Sequence, residues 1–186
     1  MRIVAILQAR LGSTRLPGKV LLPLAGQTML DQIYARASRA TRLHEVIVAM
    51  PSQDAAACGT TQIPARDRFF YPDDEADLVG RYLSCATAHA ADVIVRIPCD
   101  NPCVDPAYID AAIEEYLKYP FIYYSNTTAE AGGVMVDGIG AEVISRSRLY
   151  WLDQRTRGNP LWREHPHRYF EDCGLLQLPK AEIRLD

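Results

Sequence analysis

Apolar residues along the 186-residue chain come in short blocks whose spacing separates strands from helices. Residues 2–7 and 45–50 (EVIVAM) are continuous apolar runs of strand length, and 92–97 (DVIVRI) is apolar apart from Arg96, the pattern of strands covered on both faces. Residues 68–71 and 121–125 (FIYYS) predict further strands, with shorter ones at 134–137, 141–144 and 175–178. Between these blocks the apolar positions recur at helical spacing. Thr28 predicts the cap of a helix carrying Met29, Leu30, Ile33, Tyr34 and Ala37, with Asp31 placed to favour its positive end. Asp77 opens a helix with Leu78, Val79, Tyr82, Leu83 and Ala86 on one face, ending near His89. Asp105-Pro106 opens another, a capping residue followed by a first-turn proline, with Ile109, Ala112, Ile113, Tyr116 and Leu117 as its stripe up to Pro120. A helix is predicted from Ser145 to about Gln154; Gly158-Asn159-Pro160 then breaks the chain before one further helix over 161–172. Residues 52–66, with Gly59, Pro64 and weak periodicity, predict a mixed helix and loop segment.

Strands alternating with helices imply right-handed crossovers and an α/β fold, three layers with a mainly parallel, mixed sheet between helices. Ligands of such sheets bind at the carboxyl ends of the strands. No repeat, low-complexity tract or linker divides the chain, so 1–186 reads as a single domain.

Composition narrows this picture. Apolar residues at 48% and charged residues at 23% describe a globular chain, and no stretch reaches the length of a membrane helix. With no signal peptide before the first strand, the expectation is a cytoplasmic protein with no membrane partner. The net charge of −3 argues against nucleic-acid binding, but the charge is uneven: residues 1–42 hold seven Arg/Lys against one acid (+6), leaving 13 basic and 22 acidic residues (−9). Five cysteines without C-x-x-C spacing support neither a disulfide framework nor a zinc site, and are expected to be reduced and mostly packed. Cys99 and Cys103 flank Asp100, but a catalytic cysteine would need a histidine partner.

The positive charge is concentrated in residues 8–21, QARLGSTRLPGKVL, directly behind the first strand. Arg10, Arg15 and Lys19, the hydroxyls of Ser13 and Thr14, and Gly12 and Gly18 share one loop with no carboxylate. A polyphosphate needs close-approaching backbone N–H groups and cations to neutralise it, and this loop offers both. It is not a Walker A loop, because Gly18-Lys19 is followed by Val20, nor does its glycine spacing match a dinucleotide fingerprint. Three cations without an acid weigh against a merely solvated connection. Asp100, just beyond the central strand, predicts a second pole: a carboxylate for a divalent metal facing the cationic loop, as phosphoryl or nucleotidyl transfer requires. His44, His89 and His167 read as surface or packing residues, Trp151 and Trp162 as core or interface aromatics, and Tyr119–Tyr124 as part of a buried strand.

On these motifs the chain resembles the cytidylyltransferases that activate acidic sugars as CMP conjugates, especially the branch of spore coat polysaccharide biosynthesis protein F. The resemblance runs through QARLGSTRLPGKVL (8–21), DLVGRY (77–82), VRIPCDNPCVDP (95–106), YSN (124–126), DGIGAEV (137–143) and REH (163–165), in order across almost the whole chain. It implies a nucleotidyltransferase fold of the glycosyltransferase-A, Rossmann-like type and a magnesium-dependent transfer of CMP from CTP to a small acidic or phosphorylated acceptor. Pyrophosphate is released, as a step in surface polysaccharide synthesis. Arg10, Arg15, Lys19 and Asp100 are then the catalytic group, with Gln8, Ala9, Gly12, Ser13, Thr14, Arg81 and Arg96 around the nucleotide. Asn126, Asp137, Glu142, Arg163 and His165 fall to the acceptor side, within a subregion at 134–170 that is also expected to form a homodimer contact.

Mg²⁺ is implied as the cofactor, held by Asp100, with Asp186 at the start of the segment that completes the metal site in relatives. Two positions depart from the pattern: Cys99 stands where relatives carry glycine, and Gly140 where many carry an acid. These leave the acceptor open, and leave as alternative a nucleotide-binding regulatory or partner subunit without turnover.

Overall fold

The first strand is built from residues with no polar side chain before Gln8, and in the computed structural model it forms the middle of a six-stranded sheet. The structure describes residues 1–72, 74–119, 123–125 and 138–175. Strand β1 (Ile3–Gln8) leads through the cationic loop and a short hairpin, β2 (Pro23–Leu24) and β3 (Gln27–Thr28), to helix α1 (Met29–Ala37). The chain continues through β4 (Glu45–Pro51), β5 (Arg68–Tyr71), α2 (Leu78–Ala88), β6 (Val93–Pro98) and α3 (Pro106–Lys118). It closes with β7 (Tyr124–Ser125), β8 (Glu142–Ser145), α4 (Arg146–Thr156), α5 (Pro160–Glu164) and α6 (Pro166–Asp172).

The sheet order is β5-β4-β1-β6-β8-β7. The first four of these strands are parallel, while β8 runs antiparallel to both β6 and β7, so the sheet is mixed as expected. Alternate side chains of β1 enter two cores. Ala5 and Leu7 pack with Leu30 and Ile33 of α1 and with Ile109 and Ile113 of α3. Val4 and Ile6 pack on the other face with Val79 and Tyr82 of α2, Leu149 and Leu152 of α4 and Phe170 of α6. Both faces of the central strands are therefore covered, which is why they read as unbroken apolar runs.

The predicted caps form. Thr28, Asp77 and Asp105 accept hydrogen bonds from the amides of Asp31 (3.0 Å), Gly80 (2.9 Å) and Ala107 (2.8 Å). The 52–66 segment is two 3-10 stretches, Ser52–Thr60 and Ala65–Asp67. One expectation is corrected: the helix predicted over 161–172 is two, broken at His165, because a residue before proline is driven out of the helical region and His165 sits at φ −125°, ψ 78°. The strand predicted over 141–144 lies one residue later, and the strand predicted over 121–125 is described only from residue 123. The strand at 134–137, most of that at 175–178, and Asn126, Asp137 and Asp186 lie outside the described residues. All five cysteines are free, with Cys58, Cys85 and Cys99 buried.

Candidate functional site

The order of strands reverses between β1 and β6, because successive crossovers leave β1 toward β4 and return to its other side at β6. A cleft of about 710 Å³ opens at the carboxyl ends of these two strands. Gln8, Arg10, Ser13, Thr14, Arg15 and Lys19 form one wall, Pro98 to Asn101 the far end of β6, and His165, His167, Arg168 and Glu171 the opposite wall. Arg81, Arg96 and Glu142 line its base.

The loop is held in place by its main chain. The Ala9 amide donates to the Ala49 carbonyl (3.1 Å), the Leu11 amide to Asp54 Oδ2 (2.9 Å), and the Gly18 amide closes back on the Leu11 carbonyl (2.9 Å). Gly18 does this at φ +67°, where a side chain is disfavoured. Val20 is buried and anchors the loop's exit in the core. Between those anchors Arg10, Ser13, Thr14, Arg15 and Lys19 turn their side chains to the cleft.

Two of the loop's cations meet carboxylates across it. Lys19 Nζ lies 3.5 Å from Asp100 Oδ2, and Arg10 Nη2 lies 3.4 Å from Glu164 Oε1. Both pairs are part-exposed and weak, easily exchanged for a polyanion and its metal. Arg81 differs. Its side chain is 1% exposed, and among the described residues its guanidinium donates only to main-chain carbonyls, those of Glu75 and Ala9, with Nε unpartnered. Burial pulls its pKa down and the positive charge of Arg10 adds to that, while Tyr82, Glu75 and Asp54 offset it only in part. A buried cation without a carboxylate partner among the described residues is costly, and a bound anion relieves that cost.

A second set of polar groups is closed on itself. Arg96 and Glu142 are paired across β6 and β8 and joined by a hydrogen-bonded ion pair, which Tyr123 Oη also joins. Arg96 Nε donates to Gln8 Oε1 (3.2 Å) and Tyr82 Oη (3.2 Å), and Tyr82 Oη donates to Gln8 Oε1. Burial pulls the Arg96 pKa down, but Glu142 holds it well above the usual value. Burial raises both Tyr82 and Tyr123, so their hydroxyls remain donors. Burial, together with the Asp100 charge, pushes the Cys99 thiol up, leaving it protonated and unreactive.

The structure thus brings Gln8, Arg10, Ser13, Thr14, Arg15, Lys19, Arg81, Arg96, Asp100, Glu142 and His165 to one cleft. Ala9 and Gly12 are not among its lining residues: Ala9 is buried, and a side chain on Gly12 would meet the Glu75 carboxylate at 2.9 Å. Arg163 also points elsewhere. Its Nε and Nη2 pair with Asp77 at 2.9 and 2.8 Å and its Nη1 with Asp153 at 3.0 Å, fastening α5 to the ends of α2 and α4. Asp77 is pushed up by burial, yet the bonds from Arg163, Gly80 and Tyr71 leave it below its usual value.

Besides Val20, Pro98 and Cys99, four polar lining residues were not among the expected site residues: Asn101, His167, Arg168 and Glu171. On one continuous helix His165 and His167 would face nearly opposite ways, and only the break at Pro166 lets both line the cleft, their rings 5.9 Å apart. His167 is therefore a cleft residue rather than a surface or packing one. Burial lowers its pKa, and its Nδ1 is buried without a partner. By contrast His44 accepts from the Ile3 amide, His89 lies beside Glu45, and Trp151 and Trp162 pack edge-on to Tyr169.

For a divalent metal the cleft offers Asp100, whose side chain is about half exposed, at the end of β6, while Glu142 is engaged by Arg96 and Glu171 lies on the opposite wall. No group of three potential ligands occurs among the described residues. A single carboxylate fits Mg²⁺, which takes most of its remaining ligands from phosphate oxygens and water.

A family model described as cytidylyltransferase matches residues 4–184. The chain is 37% identical over 120 residues to the 3-deoxy-manno-octulosonate cytidylyltransferase of Trichlorobacter lovleyi, covering 64% of this chain and 47% of that protein. It spans about half the length of the relatives of that name that it matches. An uncharacterised protein of Methanocaldococcus jannaschii is 30% identical over 181 residues, 91% of this chain and 70% of the other. Among solved structures, a cytidylyltransferase from Leptospira borgpetersenii superposes with a TM-score of 0.85 at 26% identity, over 98% of this chain and 77% of that one.

Proposed function

This chain belongs to the cytidylyltransferase family, and from that premise we propose that it transfers CMP from CTP to a small acidic sugar, releasing pyrophosphate. The observation that carries the reading is Arg81, a buried guanidinium with no directly paired carboxylate among the described residues, in a cleft whose loop adds Arg10, Arg15 and Lys19 and whose far side presents Asp100. That arrangement suits a triphosphate and its metal ion. The relatives named for 3-deoxy-manno-octulosonate make a sugar carboxylate the first acceptor to try.

In the proposed reaction an acceptor hydroxyl oxygen attacks the α-phosphorus of CTP in line. The new oxygen–phosphorus bond forms as the bond to the α,β-bridging oxygen breaks, pyrophosphate leaves with that electron pair, and the hydroxyl proton passes to solvent. Arg10, Arg15, Lys19 and Arg81 hold the triphosphate and neutralise the charge gathering on pyrophosphate. In-line geometry then puts the acceptor across the cleft from the loop, toward His165, His167 and Arg168. Asp100 would hold Mg²⁺ together with phosphate oxygens, supplying further neutralisation of the leaving group.

The test is a pyrophosphate-release panel of CTP, UTP, ATP and GTP with Mg²⁺ against 3-deoxy-manno-octulosonate, other acidic sugars and phosphorylated small molecules. CTP is expected to support turnover, and Lys19→Ala and Asp100→Ala each to reduce it by about a hundredfold or more without loss of folding. Full activity in both variants would contradict these roles. Tight CTP binding with no turnover on any acceptor would favour a regulatory or partner subunit.

A further inference from the structure

Gln8 closes β1 at the root of the cationic loop, half-buried, at the point where the two walls of the cleft meet. Its Oε1 accepts from Arg96 Nε at 3.2 Å and from Tyr82 Oη. Turning the carboxamide over would set its NH₂ against the Arg96 N–H, donor against donor, so the network permits one orientation. Arg96 is itself held by Glu142, and Glu142 by Tyr123, so the clamp has no loose member on the floor of the sheet. Nε2 is the remaining polar atom of Gln8. Among the described residues no hydrogen bond reaches it, and it is not among the buried polar atoms left without a partner, so it opens into the cleft.

We propose that Gln8 is a specificity-determining donor, its carboxamide clamped by Arg96 and Tyr82 so that Nε2 alone faces the cleft and holds an oxygen of the bound substrate. The buried pair of Arg96 and Glu142 then has a function that an apolar pair of the same volume could not serve: it fixes the polarity of a neutral amide beside the reacting centre. A group held in advance pays no ordering entropy on binding, and a site built to donate rejects ligands with no acceptor at that point. The oxygen belongs either to the α-phosphoryl group of the nucleotide or to the acceptor, which share this chemistry. The proposal rests on the cytidylyl-transfer reading.

Two variants separate the donor from the clamp. Gln8→Glu keeps an acceptor for Arg96 and Tyr82 but places an oxygen where the donor was; Gln8→Met removes the donor without adding charge. Thermal melting, the calorimetric Kd of CTP with Mg²⁺, and KM for the acceptor found in the pyrophosphate panel are measured for each. The expected result is a melting temperature in Gln8→Glu at or above that of the wild type. In both variants one of the two constants rises about tenfold, the affected constant naming the source of the oxygen. Both constants within twofold of wild type in either variant overturn the proposal. Loss in Gln8→Glu with Gln8→Met unchanged overturns it as well, because charge repulsion then accounts for the effect. A wild-type chain that neither binds CTP nor releases pyrophosphate contradicts the transfer reading itself, a failure distinct from that of Gln8.

Discussion

Two arginines show how the same side chain serves different ends. Arg81 is buried against main-chain carbonyls with no directly paired carboxylate among the described residues, while Arg163 is matched by Asp77 and Asp153. Replacing Arg81 by methionine removes a buried charge that Glu75 and Asp54 offset only in part, while keeping most of the volume. Melting temperature is therefore expected to hold or rise, while calorimetry shows CTP binding weakened about tenfold or more. Asp77→Asn acts in the opposite way. Because the folded-state pKa of Asp77 lies below its unfolded value, its contribution is complete above that unfolded value, near pH 4, and is lost as pH falls through the folded one. Denaturant unfolding should show Asp77→Asn less stable than wild type by about 2 kcal/mol at pH 7, with the gap narrowing below about pH 4. That Arg10, Arg15, Lys19 and Asp100 belong together was legible because charge without counter-charge, next to a strand end, stands out in a sequence, and the structure brings all four to one cleft. The roles of Arg163 and His167 were not, because the partners that decide them are distant in the chain or turned by a local break.

At the level of elements, helix starts were the most readable feature, since a cap and its first turn interact within four residues. Asp105 is the clearest: it caps α3, and Arg36 approaches its carboxylate at 3.9 Å. Asp105→Ala is expected to cost about 1 kcal/mol, read as a melting temperature lower by a few degrees, with CTP binding unaltered. The division of residues 160–172 into α5 and α6 was harder to see, because the apolar spacing of Leu161, Trp162, Tyr169 and Phe170 continues across the break and disguises it. Pro166 was the signal, and its effect on His165 is local backbone sterics. The cost of missing it falls on function, since the break is what aims two histidines and Arg168 at the cleft.

The whole molecule follows from alternating strands and helices, and the site follows from where their order reverses. Parallel strands β5, β4, β1 and β6 were implied by the crossovers between them; the antiparallel placing of β8 was not, because strand direction there depends on a connection that carries no helical pattern. That antiparallel strand sets Glu142 opposite Arg96, so a detail of topology creates the clamp on Gln8. The uneven charge noted along the chain finds its place in the same cleft, where the basic first 42 residues supply Arg10, Arg15 and Lys19 and the acidic remainder supplies Asp100. We propose this cleft as the site for a nucleoside triphosphate and its magnesium ion. Thermal melting with CTP, with and without Mg²⁺, tests it most directly. At about a hundredfold excess over Kd, CTP and Mg²⁺ together are expected to raise the melting temperature by roughly 5–10 °C, with a much smaller rise without the metal or in Lys19→Ala. No shift with saturating CTP and Mg²⁺ in the wild-type chain would contradict the account.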